Sequence, residues 1–207
     1  MRLNQSGRSM MEMLGVLAII GVLSVGGFEI FQRSQVENRN NELMSNIADL
    51  GRVIYGMRRH SMEMGDFSNN YAVFFNRIKK VPGSLTYNST NSNFTDLSGA
   101  TIDATYDNGY AIIKVSNMIR TTCIKVASNN WGSQNSNGFI GVVINSDAAK
   151  AQFKCAAAKN CTSSDNAFYS GSTDYPVPIA KATAKCNATG NYVSLGYAID
   201  ITNTAGD

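Results

Sequence analysis

Residues 7–24 read Gly7-Arg8-Ser9-Met10-Met11-Glu12-Met13-Leu14-Gly15-Val16-Leu17-Ala18-Ile19-Ile20-Gly21-Val22-Leu23-Ser24, an apolar run that holds a single carboxylate. Residues 13–28 are 16 positions in a row without a charge. The wider stretch from Met10 to Phe31 spans 22, enough to cross a bilayer as a helix. A carboxylate at the centre of such a helix costs roughly 2.5–3.5 kcal/mol on insertion scales. Glu12 is therefore expected to meet a group that neutralises it. Arg2 and Arg8 precede the run, and the positive-inside tendency keeps that end cytoplasmic and sends the residues after 31 outward. An ordinary signal peptide, cut between Ser24 and Gly27, is the alternative for the same stretch.

Beyond the anchor, Val36, Leu43, Ile47, Leu50, Ile54 and Met57 form one stripe, in steps of three or four from 43 onward, with Arg39, Glu42, Asp49, Arg52 and Arg59 largely off it. No proline interrupts residues 8–64. The pattern predicts one helix, apolar and then amphipathic, on the order of 85 Å long at 1.5 Å per residue. A helix of that length protrudes from a small globule. Gly26-Gly27 is its weak point, since each glycine costs about 1 kcal/mol relative to alanine. Gly65-Asp66 is the expected stop.

The remainder reads as a head. Tyr71 to Lys80 predicts a short helix packing Phe74, Phe75 and Ile78, and Pro82-Gly83 a turn. Ser84 to Ser98, rich in Ser, Thr and Asn, predicts an exposed loop. Strands are expected at Tyr110–Ser116, Thr122–Ala127, Gly138–Asn145 and Tyr192–Ile201, with Ala111, Ile113 and Val115 on one face. Ala148–Ala158 has the alanine content of a short helix. The fold class is α+β: an antiparallel sheet packed on the amphipathic half of the long helix.

With 207 residues and 43% apolar composition the chain can build one real core, and a net charge of +3 neither demands nor excludes nucleic acid. Its four cysteines, Cys123, Cys155, Cys161 and Cys186, fall in the C-terminal half of an anchored chain, which points to two disulfides in an oxidising compartment. Four cysteines allow three connectivities. No C-x-x-C, G-x-S-x-G, H-E-x-x-H, P-loop or dinucleotide fingerprint is present, and His60 is the only histidine. Neither catalysis, a metal nor a cofactor is expected. His60 with Arg58 and Arg59 reads as a solvated helix face; this group, or Lys79-Lys80, repeated along a polymer would attract DNA through charge. Trp131, in a polar loop, is either a contact for a receptor or glycan or a lid on the core edge.

The opening stretch resembles the start of type IV pilins and the related pseudopilins. In that family a polar leader ends in Gly, a peptidase cuts after it, and the fifth mature residue is Glu. Here Gly7 matches the last leader position, Arg8 the new N-terminus, Glu12 the carboxylate, and Met13 to Leu23 the apolar stretch with its Ala-Ile-Ile-Gly core. The likeness covers about the first 30 residues. It departs at Arg8, where most members carry Phe or Met.

The resemblance implies a leader over 1–7, a membrane and filament-core helix over 8–31, and a pilin-like head over 32–207. It implies leader cleavage with methylation of the new terminus, and a helical homopolymer in which Glu12 pairs with the terminal amine of a neighbouring subunit. Arg8, four residues before Glu12 on the same helix face, would instead pair within the chain and compete with that contact. The expected partners are further copies of the chain, a prepilin peptidase and an inner-membrane assembly machinery, with host-surface or DNA contact. The chain would rest in the bacterial inner membrane, head in the periplasm, before joining an extracellular pilus that serves adhesion, motility or DNA transfer. The resemblance also implies a helix that extends near Gly26-Gly27 on assembly, a variable surface loop after the long helix, and a disulfide near the C-terminus. That favours Cys123–Cys186 with Cys155–Cys161; Cys123–Cys155 with Cys161–Cys186 stands as the rival. A type II secretion pseudopilin, or a monomeric exported protein held by a signal anchor, are the other functions the sequence accommodates.

Overall fold

In the computed structural model, α1 is a single α-helix over Ser6–Arg58. The structure describes residues 6–58, 70–81, 83–107, 110–132, 138–148, 150–151, 153, 166–187 and 190–198. The chain divides into two units, Met1–Arg39 and Asn40–Asp207.

In the second unit, the C-terminal part of α1 supplies Leu43, Ile47, Leu50 and Ile54, each at most 1% exposed, to a core shared with the sheet. The stripe is helical in period, so one face collects every large apolar side chain. Val36, at the start of the expected stripe, is 42% exposed. Met57 lies in α1, but its side chain is outside the described residues, as is Gly65-Asp66.

Seven strands form one antiparallel sheet: β1 Thr86–Asn88, β2 Asn93–Thr95, β3 Thr101–Asp107, β4 Tyr110–Met118, β5 Phe139–Asn145, β6 Ala167–Tyr169 and β7 Asn191–Ala198. Their spatial order is β1-β2-β3-β4-β7-β5-β6. The central registers are Ile113 opposite Leu195 and Val142 opposite Leu195, so β7 joins the β1–β4 meander to the β5–β6 hairpin. Ala111, Ile113 and Val115 are fully buried on one face, as the alternation predicts. The other face of β7 is covered too: Ser194 Oγ donates to the Ala151 carbonyl at 2.6 Å, and a Cβ on Gly196 would stand 3.0 Å from the Phe153 ring. Gly141 is required where β5 meets β6, because a Cβ there would lie 2.3 Å from the Phe168 carbonyl oxygen.

Among the described residues, the head also contains the helices α2 Tyr71–Arg77, α3 Arg120–Ser128 and α4 Ile179–Lys185. Asn70 caps α2, accepting from the Ala72 and Val73 amides at 2.8 and 3.3 Å. Phe74 and Phe75 are buried as expected, but Ile78 is 40% exposed, since the helix ends at Arg77 and Lys79 turns into the left-handed region at φ 53°.

Two sequence expectations are corrected. Thr122–Ala127 is not a strand but the body of α3: Cys123, Val126 and Ala127 recur at helical spacing and are buried together. Ser84–Ser98 is not a plain loop, because β1 and β2 pair there through Tyr87 opposite Phe94, and Phe94 is fully buried. Of Ala148–Ala158, the described residues up to Phe153 form turns and bends rather than a helix, and the rest lies outside the described residues.

Candidate functional site

The candidate site is the apolar part of α1. Thirteen large apolar side chains between Met10 and Phe31 are 52–79% exposed within the chain. They recur in closely spaced pairs along the segment, and at 100° per residue they face every direction around the axis. A helix apolar all round belongs inside a larger core or a membrane. Burying one Leu, Ile, Val or Met is worth roughly 1.5–3 kcal/mol, so thirteen of them outweigh the cost of the single carboxylate many times over. α1 is long and apolar enough to cross a membrane.

Glu12 lies within this segment, exposed, with Met10, Met11, Met13 and Leu14 around it at 66–79% exposure. Gly7 and Arg8 fall at the start of the same helix, so Arg8 and Glu12 are separated by one helical turn. The first turn of α1 contains no acidic residue. The helix dipole and Arg8 therefore place positive charge together at this end. Arg33 and Glu29 make an exposed ion pair at 2.6 Å further along.

Gly26 and Gly27 lie inside continuous α-helix, and a Cβ on either would meet nothing within 4 Å. Two residues before Gly26, Ser24 Oγ donates to the Ile20 carbonyl at 2.7 Å, a back-bond that weakens a helix locally.

In the head, side-chain hydrogen bonds that the sequence reading missed help hold α1. Thr122 Oγ1 donates to Asn40 Oδ1 at 2.7 Å, and Asn46 Nδ2 donates to Ser84 Oγ at 2.6 Å. Asn40 and Asn46 lie three and four residues from Leu43 and Leu50, on the buried side of the helix, but the sequence does not name their partners. Gly51 lets α1 approach the ring of Tyr197, whose Cζ would stand 2.9 Å from an added Cβ. Burial, with a further contribution from Tyr175, pushes the Tyr197 phenol far above its ordinary range; burial does the same for Tyr71, with Tyr106 adding to it.

Cys123 and Cys186 form a disulfide with Cα atoms 6.0 Å apart, tying α3 to the end of α4. Beside it, Arg120 Nη2 donates to the Thr183 carbonyl at 3.0 Å. This pairing removes the rival that joined Cys123 to Cys155; Cys155 and Cys161 lie outside the described residues. Trp131 is only 7% exposed and donates Nε1–H to the Val126 carbonyl at 2.8 Å, which decides between the two readings for a lid on the core edge. Lys79 and Lys80 are exposed, whereas Arg59 and His60 lie outside the described residues. Among the described residues no cluster of His, Cys, Asp or Glu could hold a metal ion.

No family model, no curated protein and no solved structure matches this chain.

Proposed function

We propose that this chain is the structural subunit of a type IV pilin-like filament, cut after Gly7 and assembled through the apolar part of α1. The observation that carries the proposal is a helix apolar on all sides that bears one carboxylate five residues after a glycine, on a chain with a separately cored, disulfide-tied head. The apolar surface would serve twice. It dissolves the subunit in the inner membrane first, and later packs against neighbouring copies, where close side-chain contact replaces lipid.

Glu12 acts in that transfer as a charge that must find the positive N-terminal end of a helix. Inside an apolar bundle, attraction offsets desolvation only with good geometry, which makes the pair a device for setting the stagger between subunits. Gly26-Gly27, weakened further by the Ser24 back-bond, supplies the place where the helix would extend. The work done is adhesion, motility or DNA transfer, without a catalytic step. The partners are copies of the chain, the leader peptidase and the assembly machinery of the inner membrane.

Intact-mass measurement of the membrane-extracted protein tests the processing step: the expected chain starts at Arg8, and a chain retaining residues 1–7 in the presence of the peptidase overturns it. Electron microscopy of cells carrying Glu12→Ala tests assembly. Filaments should disappear while the protein still inserts. A monomer merely tethered by its helix would insert as well or better and show no other change.

A further inference from the structure

We infer that the end of the head at which the chain enters it is a membrane-docking surface: Leu97 and Ile119 seat in the lipid surface that holds the anchor, and Arg120 meets the anionic phosphates of its headgroups. The inference rests on the membrane stage of the filament reading, before the subunit leaves the bilayer.

The sheet register brings these residues to one end. Thr95 at the end of β2, Thr101 at the start of β3 and Ser116 in β4 stand side by side. The turn from Asp96 to Ala100 and the segment from Asn117 to Arg120 both run on from that row. Asn117 Nδ2 donates to the Gly99 carbonyl at 2.8 Å and ties them together. Leu97 is 62% exposed and Ile119 57%. Among the described residues of the head, Ile179 is the other large apolar side chain more than half exposed. Scattered apolar side chains are ordinary on a protein surface. Here two share one end, with the exposed guanidinium of Arg120 next to Ile119 in the chain. The carboxylate in the turn, Asp96, is buried and accepts from Ser98 Oγ and from the amides of Ser98 and Ala100.

The chain enters the head at this same end. Asn40 is the first residue of the head unit, and its Oδ1 accepts from Thr122 Oγ1, two residues after Arg120. Nine residues lead from Phe31, at the end of the apolar stretch, to Asn40. Even fully extended, nine residues reach no further than about 32 Å. The anchor therefore keeps the head close to the bilayer, and docking becomes an intramolecular step at an effective concentration on the order of millimolar. Two aliphatic side chains and one cation would hold a free protein to a membrane only weakly. On a tethered head they suffice. Aliphatic side chains of this kind settle roughly 5–10 Å into the boundary between headgroups and acyl chains, and a guanidinium at that level donates to phosphate oxygens.

The test uses the full chain in vesicles of phosphatidylglycerol and phosphatidylcholine brominated on the acyl chains near the headgroup. Bromine quenches tryptophan at contact range, and each variant is read against wild type, which carries the buried Trp131. Leu97→Trp and Ile119→Trp should lose their added emission to the bromine, as Leu17→Trp in the anchor does. Thr173→Trp should keep its own, because Thr173 is exposed in the loop after β6, two residues before Tyr175, whose ring meets Phe139 at the opposite end of the sheet. Adding Arg120→Glu to Ile119→Trp should lower the ratio of docked to undocked heads at least about fivefold. Quenching of Leu17→Trp without quenching of Leu97→Trp and Ile119→Trp overturns the inference and leaves the membrane reading standing. Shielding of Leu97→Trp and Ile119→Trp from acrylamide without bromine quenching assigns the surface to a second copy and overturns it too, as does equal quenching with and without Arg120→Glu. Absence of quenching in Leu17→Trp overturns the membrane reading itself and the inference with it.

Discussion

Ile19, Ile20 and Leu23 share a helix with Ile47, Leu50 and Ile54. The first three are 62%, 52% and 68% exposed, and the second three are fully buried. Propensity cannot separate them, because the residue types are the same. What differs is the company. Asn46, Asp49 and Arg52 interrupt the second group and confine its apolar side chains to one face, whereas no charge interrupts residues 13–28. One stretch of α1 completes a core inside the chain. The other has an apolar circumference that nothing within the chain covers among the described residues.

This contrast can be broken most strongly at the disulfide. Cys123→Ser with Cys186→Ser frees a loop of 63 residues and should lower head stability by about 4 kcal/mol on the loop-entropy model. Near-UV circular dichroism of the detergent-held full chain in a urea titration would show an earlier transition. The helical far-UV signal from residues 10–31 should survive it, and a simultaneous loss of both signals would refute the separation. Next in size, Ile47→Ala empties a fully buried site and should cost roughly 3 kcal/mol, while Leu17→Ala should leave the same urea midpoint unmoved. Equal shifts for the two variants would erase the distinction. Gly51→Ala forces a methyl against Tyr197 and should cost about 2 kcal/mol, whereas Gly21→Ala, with nothing within 4 Å, should not shift the midpoint.

The smallest effect is alkaline. Tyr71 and Tyr197 have phenols whose pKa is raised by burial, so between about pH 10 and the folded value the unfolded chain has lost protons that the folded chain keeps. Stability is therefore intact below pH 10 and falls above it, by about 1 kcal/mol per phenol near pH 10.5. Tyr71→Phe should flatten that decline, and an unchanged slope would rule out its share.

Legibility in the sequence follows the same divide. The long helix could be anticipated because both of its patterns persist over many turns. The strands β4, β5 and β7 could be anticipated because β-branched residues alternate between turn signals. Thr122–Ala127 misled because Thr, Ile and Val favour strands, and six residues are too few for period to overrule composition. The hairpin of β1 and β2 was obscured because its strands are three residues long and only Phe94 and Tyr87 supply large apolar side chains to tie them to the core. β3, β6 and α4 carried no pattern of their own strong enough to separate them from loop. For the candidate site, Glu12 stood out because one charge in an apolar run is costly. Asn40 and Asn46 did not, because a polar residue on a helix explains itself until its partner across the fold is known.

The position of β7 sets a timetable. It is the last of the described strands in sequence, yet it lies between β4 and β5. Without β7, β1–β4 and β5–β6 are two sheet fragments that do not pair with each other, each with an open edge that invites pairing with another chain. Cys123 waits as well, since Cys186 precedes β7 by only a few residues. The sheet and the cross-link are thus both completed by the last described part of the chain, Cys186 and β7. A chain cut short before Asn191 would leave both fragments with unpaired edges and no strand to join them.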